Sequence, residues 1–271
     1  MNTQEEIIKE SKDDKFPVSI DCSVKIYAEK TAPLMHINKH LRLLYFVYTG
    51  ALIKINSKEF DIKAGEIAML PPGSLYSIRT KNAQAMYHSI IIERQFCESL
   101  DFKIDEFGIL KPINDTEIKN YFEQMVLDYK LCGNFYKIKV LSEALLLLKR
   151  LYELSLYGCE NSMTAAEAGK IKIIKNAIKY IEQNFDKSIL VEDLSVVAET
   201  EKTYFGRVFK EITKTTPIEY INIYRCKMAE YMLEVKDKSV SEVAQLCGFA
   251  NSSYFTRTYK KYIGSLPSKT M

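Results

Sequence analysis

Arg207 and Arg257 lie fifty positions apart, each inside a copy of one seven-residue pattern, Tyr204-Phe205-Gly206-Arg207-Val208-Phe209-Lys210 and Tyr254-Phe255-Thr256-Arg257-Thr258-Tyr259-Lys260. A guanidinium carries its donors in a rigid fork and suits two acceptors at once, either phosphate oxygens or the O6 and N7 edge of guanine. The same face of each copy carries small, hydroxyl or cationic side chains: Thr203, Gly206 and Lys210 in the first, Ser252, Ser253, Thr256 and Lys260 in the second. The chemistry on offer is hydrogen bonding to phosphates, which sets register, and to base edges, which reads sequence. Double-stranded DNA is the simplest partner for it. Arg257 is the leading base-reading candidate and Arg207 the second, either being equally able to hold a phosphate. Ser252, Ser253 and Thr203 are weaker candidates. No GxSxG, P-loop or GxGxxG stretch offers catalysis instead.

The elements that must position these side chains are helices. Phe205, Val208 and Phe209 stand at i, i+3 and i+4, as do Phe255, Thr258 and Tyr259, one buried stripe per copy. Pro217 and Pro267 keep the fifty-residue offset, and a fixed period marks a duplicated unit. Ahead of the second copy, Val240, Val243 and Leu246 space a short helix in which Ala244 permits close packing, and Gly248 suits a turn with positive φ. Val191, Leu194 and Val197 repeat that spacing at an offset of forty-nine, which makes the first turn one residue shorter, with Ser195 for the Ala and Glu199 for the Gly. A Glu at positive φ costs about 1 kcal/mol, so the first turn is expected to differ in detail. Between the copies Pro217 suits a first helical position, and Ile218, Ile221, Tyr224, Met228, Tyr231 and Met232 carry a helix to about Val235. Arg225 and Lys227 on that helix are candidate phosphate contacts or part of a solvated face.

On these residues the last hundred or so positions resemble the DNA-binding domain of the AraC/XylS family of bacterial transcription regulators. The segment from Ser241 to Arg257 carries the resemblance, with Val243 for the family's usual Ile and Tyr259 for its usual Phe. Lys214 departs from it, standing where the first copy usually ends on Gly, while Gly264 keeps the pattern in the second. Gly206 occupies a position that often bears a base-reading side chain in relatives, so the first helix is expected to read few bases. The resemblance implies that the connecting helix sets two recognition helices into successive major grooves, about 34 Å apart.

Residues 18–92 read differently. Short apolar or alternating runs (Val24–Tyr27, Leu43–Tyr48, Leu52–Ile55, Glu66–Leu70, Tyr87–Ile92) separated by Gly, Pro and Asn predict a small barrel or sandwich. The stretch from Tyr45 to Gly50, followed by that from Phe60 to Gly73 ending Leu70-Pro71-Pro72-Gly73, resembles the cupin-like sensor barrel of AraC-type regulators. A metal centre is not expected, because His36, His40 and His88 are the only imidazoles, no His-x-His occurs, and Tyr76 stands where metal cupins place a His. Alternation puts Leu44, Phe46 and Tyr48 on one strand face and Met86, His88, Ile90 and Ile92 on another. By resemblance to sugar-sensing relatives the effector candidates are Tyr48, Phe46, Tyr76, His88 and Ile90. For Tyr48 and His88 the competing reading is a satisfied core residue. The arm at residues 1–17 would either fold over such a pocket or stay unstructured.

Two helices are predicted at 116–132 and 136–157. The second, with Val140, Leu141, Ala144, Leu145, Leu148, Leu151 and Tyr152 widened by Leu146, Leu147 and Leu154, has more apolar surface than one packing partner needs. The resemblance implies a homodimer interface there, against simple packing on the barrel. The expected fold class is α+β. An N-terminal cupin-like β-barrel plus helix pair (1–157) joins through a linker (158–169) to an all-α domain (170–271), in which a long helix joins two helix-turn-helix units. From Gly169 to Met271 there are 17 Lys and Arg against 12 Asp and Glu, leaving a basic C-terminal part behind a slightly acidic N-terminal one. The longest apolar run, Leu43 to Tyr48, is six residues, too short for a membrane span. Six scattered Cys without CxxC pairs suit reduced thiols in a cytoplasm. The expectation is a cytoplasmic, sequence-specific regulator of promoter DNA, an activator controlled by a small-molecule effector (sugars being one class), dimeric, needing no cofactor, with RNA polymerase as a further candidate partner. Its rivals are an adaptor or effector-independent regulator whose barrel only mediates assembly, and a cupin enzyme fused to a regulator.

Overall fold

A computed structural model describes residues 16–28, 33–102, 111–158, 163–235 and 237–270. The N-terminal arm up to residue 15 and residues 159–162 of the expected linker lie outside the described residues. The chain divides into two compact units, one built on residues 38–163 and the other on 164–271.

The first unit is a pair of four-stranded sheets. One runs β1 (Val18–Tyr27), β8 (Gln84–Ile92), β3 (Leu41–Phe46), β6 (Ile67–Leu70); the other runs β2 (His36–Ile37), β7 (Leu75–Thr80), β4 (Ala51–Ile55), β5 (Lys58–Ile62). The β1–β8, β8–β3, β3–β6, β7–β4 and β4–β5 ladders are antiparallel. Between the sheets lies a core that includes Val24, Ile26, Leu44, Phe46, Ile53, Ile55, Ile62, Leu70, Tyr76 and Tyr87. Every residue of β3 is buried. A strand covered on both faces reads as an unbroken apolar run rather than an alternating one, which explains the compact stretch from Leu43. A bulge in β1 between Asp21 and Val24 places Ser23 at φ 58°, and its N–H donates to His88 Nδ1 at 2.9 Å.

Beyond β8 come α1 (Arg94–Ser99), α2 (Thr116–Leu131) and α3 (Tyr136–Gly158). The long pair lies close to the predicted spans. Asp115 caps α2 by accepting from Ile118 N at 3.0 Å, and its other oxygen pairs with Arg150 Nη2 of α3 at 2.8 Å. Ile118, Phe122, Met125 and Val126 of α2 pack with Val140, Ala144, Leu147, Leu148 and Leu151 of α3 and with Val18, Ile20, Leu43, Tyr45, Ile90 and Ile92 on the outer face of the first sheet. Each such buried Leu, Ile or Phe contributes about 1.5–3 kcal/mol relative to exposure. Leu145, Leu146 and Tyr152, which the sequence places on the same stripe, are instead exposed, together with Leu127, Leu131, Phe135 and Ile138.

The second unit is all helical: α4 (Ala165–Asn184), α5 (Val191–Val197), α6 (Lys202–Thr213), α7 (Pro217–Val235), α8 (Val240–Leu246) and α9 (Ser252–Ile263), then a 3-10 turn at Pro267–Lys269. α4 begins five residues before Lys170 because Thr164 and Glu167 form a reciprocal capping box. Pro217 takes the first position of α7, as its missing N–H permits. A core of Cys226, Ala229, Leu233, Val243, Ala244, Cys247, Phe249, Phe255 and Tyr259 ties α7, α8 and α9 together. Burial pushes the Cys247 thiol up to about 12, which keeps it protonated and inert at neutral pH.

Candidate nucleic-acid interface

Each helix-turn-helix unit is held by the same local devices. In the second, Ser239 and Glu242 form a capping box at the start of α8, and Asn251 Oδ1 accepts from Ser253 N and Tyr254 N at 2.8 and 3.0 Å to start α9. In the first, Asp193 accepts from Leu190 N at 2.8 Å, and Glu201 takes the capping role, accepting from Thr203 N and Tyr204 N at 2.7 and 2.9 Å. These backbone donors hold the Glu201 carboxyl below its ordinary range. The inter-helix turns correspond bond for bond, with Thr200 N donating to Ser195 O and Phe249 N to Ala244 O, both at 3.0 Å.

The first turn, 198–201, is one residue shorter than the second, 247–251, as the offset of forty-nine implies, but the two share the backbone conformation that the Glu was expected to change. Glu199 sits at φ 54° and Gly248 at φ 76°. Chain direction at this point is set by the packing of the flanking helices, so the side chain accepts the strain. Gly248 has a second constraint, since a Cβ there would lie 2.5 Å from Phe185 O and 2.9 Å from Arg225 Nη2. Lys214 likewise takes the left-handed cap conformation at φ 63° that Gly264 holds at φ 92°.

The recognition helices repeat each other in exposure. Phe205, Val208 and Phe209 are buried in α6, and Phe255, Thr258 and Tyr259 in α9. Their rings stack with centroids 5.5 Å apart (Phe205 on Phe209) and 5.4 Å apart (Phe255 on Tyr259), and so brace the helices without facing outward. On the opposite side Thr203, Arg207 and Lys210 are exposed with Gly206 half-exposed, and Ser252, Ser253, Arg257 and Lys260 are exposed with Thr256 half-exposed. All nine sequence candidates thus collect on two equivalent outward faces. Arg207 lies over the Tyr204 ring at 5.3 Å, whereas Arg257 makes no hydrogen bond or ion pair among the described residues. Gly206 sits mid-helix with nothing within 4 Å of where a Cβ would be, so no internal packing requires it.

Arg225 corrects the sequence reading. Its Nε donates to Phe185 O at 2.7 Å and its Nη2 to Lys187 O at 2.6 Å, with the guanidinium over the Phe249 ring at 5.7 Å. These bonds fasten the end of α4 to α7; the group is not spare for phosphate.

In the first unit the effector candidates do not converge. Phe46 and Tyr76 are in the core between the sheets. Ile90 pairs with Leu43, and His88 with Tyr45, on the opposite face of the sheet, which α2 and α3 cover. His88 is half-buried there, and burial and Lys130 together lower its pKa. Tyr48 lies beyond the end of β3 and is 75% exposed, so the alternation extrapolated from Leu44 and Phe46 stops before it. Two interior residues went unread. Arg42, in register with Leu44 and Phe46, is 5% exposed, with Nη1 donating to Tyr76 Oη at 3.0 Å and its guanidinium 5.8 Å from that ring. Ser89 on β8 is fully buried, beside Leu44, and its Oγ has no hydrogen-bond partner. An Arg in phase with interior apolar residues was the available clue. Among the described residues no group of three or more His, Cys, Asp or Glu could hold a metal, and no helix is long and apolar enough to cross a membrane.

Comparison with known proteins accords with this geometry. Residues 194–271 match a family model described as a helix-turn-helix domain. The Transposon Tn10 TetD protein of Escherichia coli is 34% identical over 96 residues, 35% of this chain and 70% of that protein. The chain belongs to the AraC/XylS family. The Msm operon regulatory protein of Streptococcus mutans is 24% identical over 246 residues, 84% of this chain and 82% of its own. Among solved structures, ToxT from Vibrio cholerae O395 covers 94% of this chain and 97% of itself with a TM-score of 0.51 at 15% identity, a likeness of fold. As an AraC-family member the chain is a transcription regulator with a helix-turn-helix DNA-binding domain at its C-terminus, and its N-terminal sheets with α2 and α3 have the cupin-like arrangement of that fold.

Proposed function

We propose that the protein is a promoter-specific activator in which α6 and α9 read DNA through Arg207 and Arg257, governed by a small molecule held between the sheets of the first unit. The observation that carries the DNA part is the matched outward face of the two recognition helices, cationic and hydroxyl-bearing above buried aromatic stripes. Phosphate contacts from Lys210 and Lys260 set register, and the guanidiniums read base edges.

For the effector, support comes from Arg42, Tyr76 and Ser89, polar groups in an apolar interior beside the faces of Phe46 and Tyr87. A fork of donors, hydroxyls and aromatic faces suits a polyhydroxyl compound, and sugars are the class to test first. Calorimetric titration of a sugar panel into the full chain, with Tyr76→Phe as comparison, tests this. A saturable heat that Tyr76→Phe weakens supports it, and no heat from any sugar removes that class.

The exposed apolar stripe of α2 and α3 supports a homodimer. Ile138, Leu145 and Tyr152 recur at seven-residue intervals along α3, with Leu127 and Leu131 of α2 and Phe135 (76% exposed) also uncovered. Pairing two chains would bring two DNA-binding domains to one promoter and raise effective concentration.

A further inference from the structure

In the second helix-turn-helix unit a cleft of about 330 Å³ opens beside the recognition helix, lined by Asn222, Tyr254, Arg257, Thr258, Lys261 and Tyr262. No carboxylate lines it. Asn222 is nine-tenths buried and its Nδ2 donates to Tyr254 Oη at 3.1 Å, which leaves the tyrosine's own proton to point elsewhere. Lys261 Nζ donates to Tyr262 Oη at 3.2 Å and has further N–H bonds to give. Arg257, one turn before it, makes no hydrogen bond or ion pair among the described residues. The carboxylate that feels Lys261 from α7 is Glu219, and it is taken up by Thr216 N and Thr216 Oγ1 at 2.9 and 2.8 Å. The cleft therefore collects a guanidinium, an ammonium and a phenol proton with no carboxylate in its lining.

The first helix-turn-helix unit does not repeat this lining. At the fifty-residue offset Thr258, Lys261 and Tyr262 become Val208, Glu211 and Ile212. Val208 and Ile212 are buried, and Glu211 is held by Lys170 at 2.7 Å. Where one unit places a carboxylate in an ion pair, the other places a lysine whose hydrogen bond is to a neutral phenol.

The position of the cleft on α9 decides its occupant. At about 100° per residue, Arg257, Lys261 and Tyr254 stand roughly 40°, 80° and 100° round the helix from Ser253, which points outward. A helix about 10–12 Å across in a major groove about 12 Å wide turns its front to the bases and its flanks to the two phosphate backbones. We propose that this cleft seats a backbone phosphate of duplex DNA on the flank of α9, with Lys261 and the Tyr254 hydroxyl as donors and Arg257 at the boundary between phosphate and base. The proposal rests on the DNA-binding reading and deepens it: the second unit clamps the backbone, and the first does so less.

The test is the salt dependence of binding by the full chain to a short labelled duplex of mixed sequence, in rising KCl. Lys261→Gln should reduce the slope of log affinity against log salt by about 0.9, the contribution of one phosphate contact. Tyr254→Phe should weaken binding and leave the slope nearly unchanged, because it removes a neutral donor and keeps the ring against Phe249. Lys238→Gln, which removes a cation paired with Asp237, should behave as wild type. Steep salt dependence in the wild type with an unchanged slope in Lys261→Gln overturns the phosphate seat and leaves DNA binding intact. The same unchanged slope with lost promoter activation would overturn it in favour of an acidic protein partner. No salt-dependent binding by the wild type would remove the DNA-binding reading itself.

Discussion

Glu199 and Gly248 hold the same left-handed backbone, φ 54° and 76°, at matching points of two turns forty-nine residues apart. Only one of them is a residue suited to it. Glu199→Gly removes a strain of about 1 kcal/mol, and urea unfolding of the C-terminal unit should show a gain of roughly 0.5–1 kcal/mol. Gly248→Ala should lose about 2 kcal/mol or more, because its Cβ would meet Phe185 O at 2.5 Å as well as the strained φ.

Gly206 separates stability from binding. A Gly inside a helix costs about 0.5–1 kcal/mol relative to Ala, and open space surrounds it here. Gly206→Ala should therefore stabilise α6 by about that amount. If the Gly serves close approach of DNA, the same variant should bind duplex more weakly, and thermal melting alongside a binding titration reads both effects.

Arg257→Ala should cost about 1–3 kcal/mol of specific binding and relax base preference at one position, leaving mixed-sequence binding less affected. Arg207→Ala should cost less, since Arg207 is partly engaged by the Tyr204 ring. Selection of bound sequences from a randomised duplex pool checks both.

Ile138→Glu should shift the full chain toward monomer in sedimentation, weakening self-association by roughly 2 kcal/mol or about thirtyfold. Ile138 is exposed, so the fold should survive the change.

Asp115 is held below the usual carboxylate range, chiefly by Arg150 and with help from the Ile118 backbone N–H. A depressed carboxyl adds stability above its unfolded value near 3.8, and that stability is lost as pH falls through the folded one. Asp115→Asn keeps an α2 cap and loses the ion pair. The deficit against wild type should be full at pH 7 and shrink below about pH 4, as read by urea midpoints at each pH.

What was legible in the sequence was whatever one helix or one turn determines alone. Phe205 with Phe209 and Phe255 with Tyr259 fixed their buried stripe by spacing, so the outward faces followed at once. The turn at Glu199 was misjudged because residue type was weighed while the packing of α5 against α6 decides the backbone. The effector candidates lie apart for a different reason. Alternation tells which residues share a face, but β3 is buried on both sides, so nothing local distinguishes the interior of Phe46 from the helix-covered side of Ile90 and His88. Arg225 found its partners in Phe185 and Lys187, 40 and 38 residues away, a distance at which periodicity carries no information.

The central claim is that two unequal recognition helices read specific promoter DNA. Its most direct test is capture of fragments of the source genome by the purified full chain, followed by sequencing, with Arg257→Ala run beside it. The prediction is enrichment of one or a few promoter regions that Arg257→Ala loses. Uniform recovery of all fragments that salt abolishes, identical for wild type and Arg257→Ala, would contradict it.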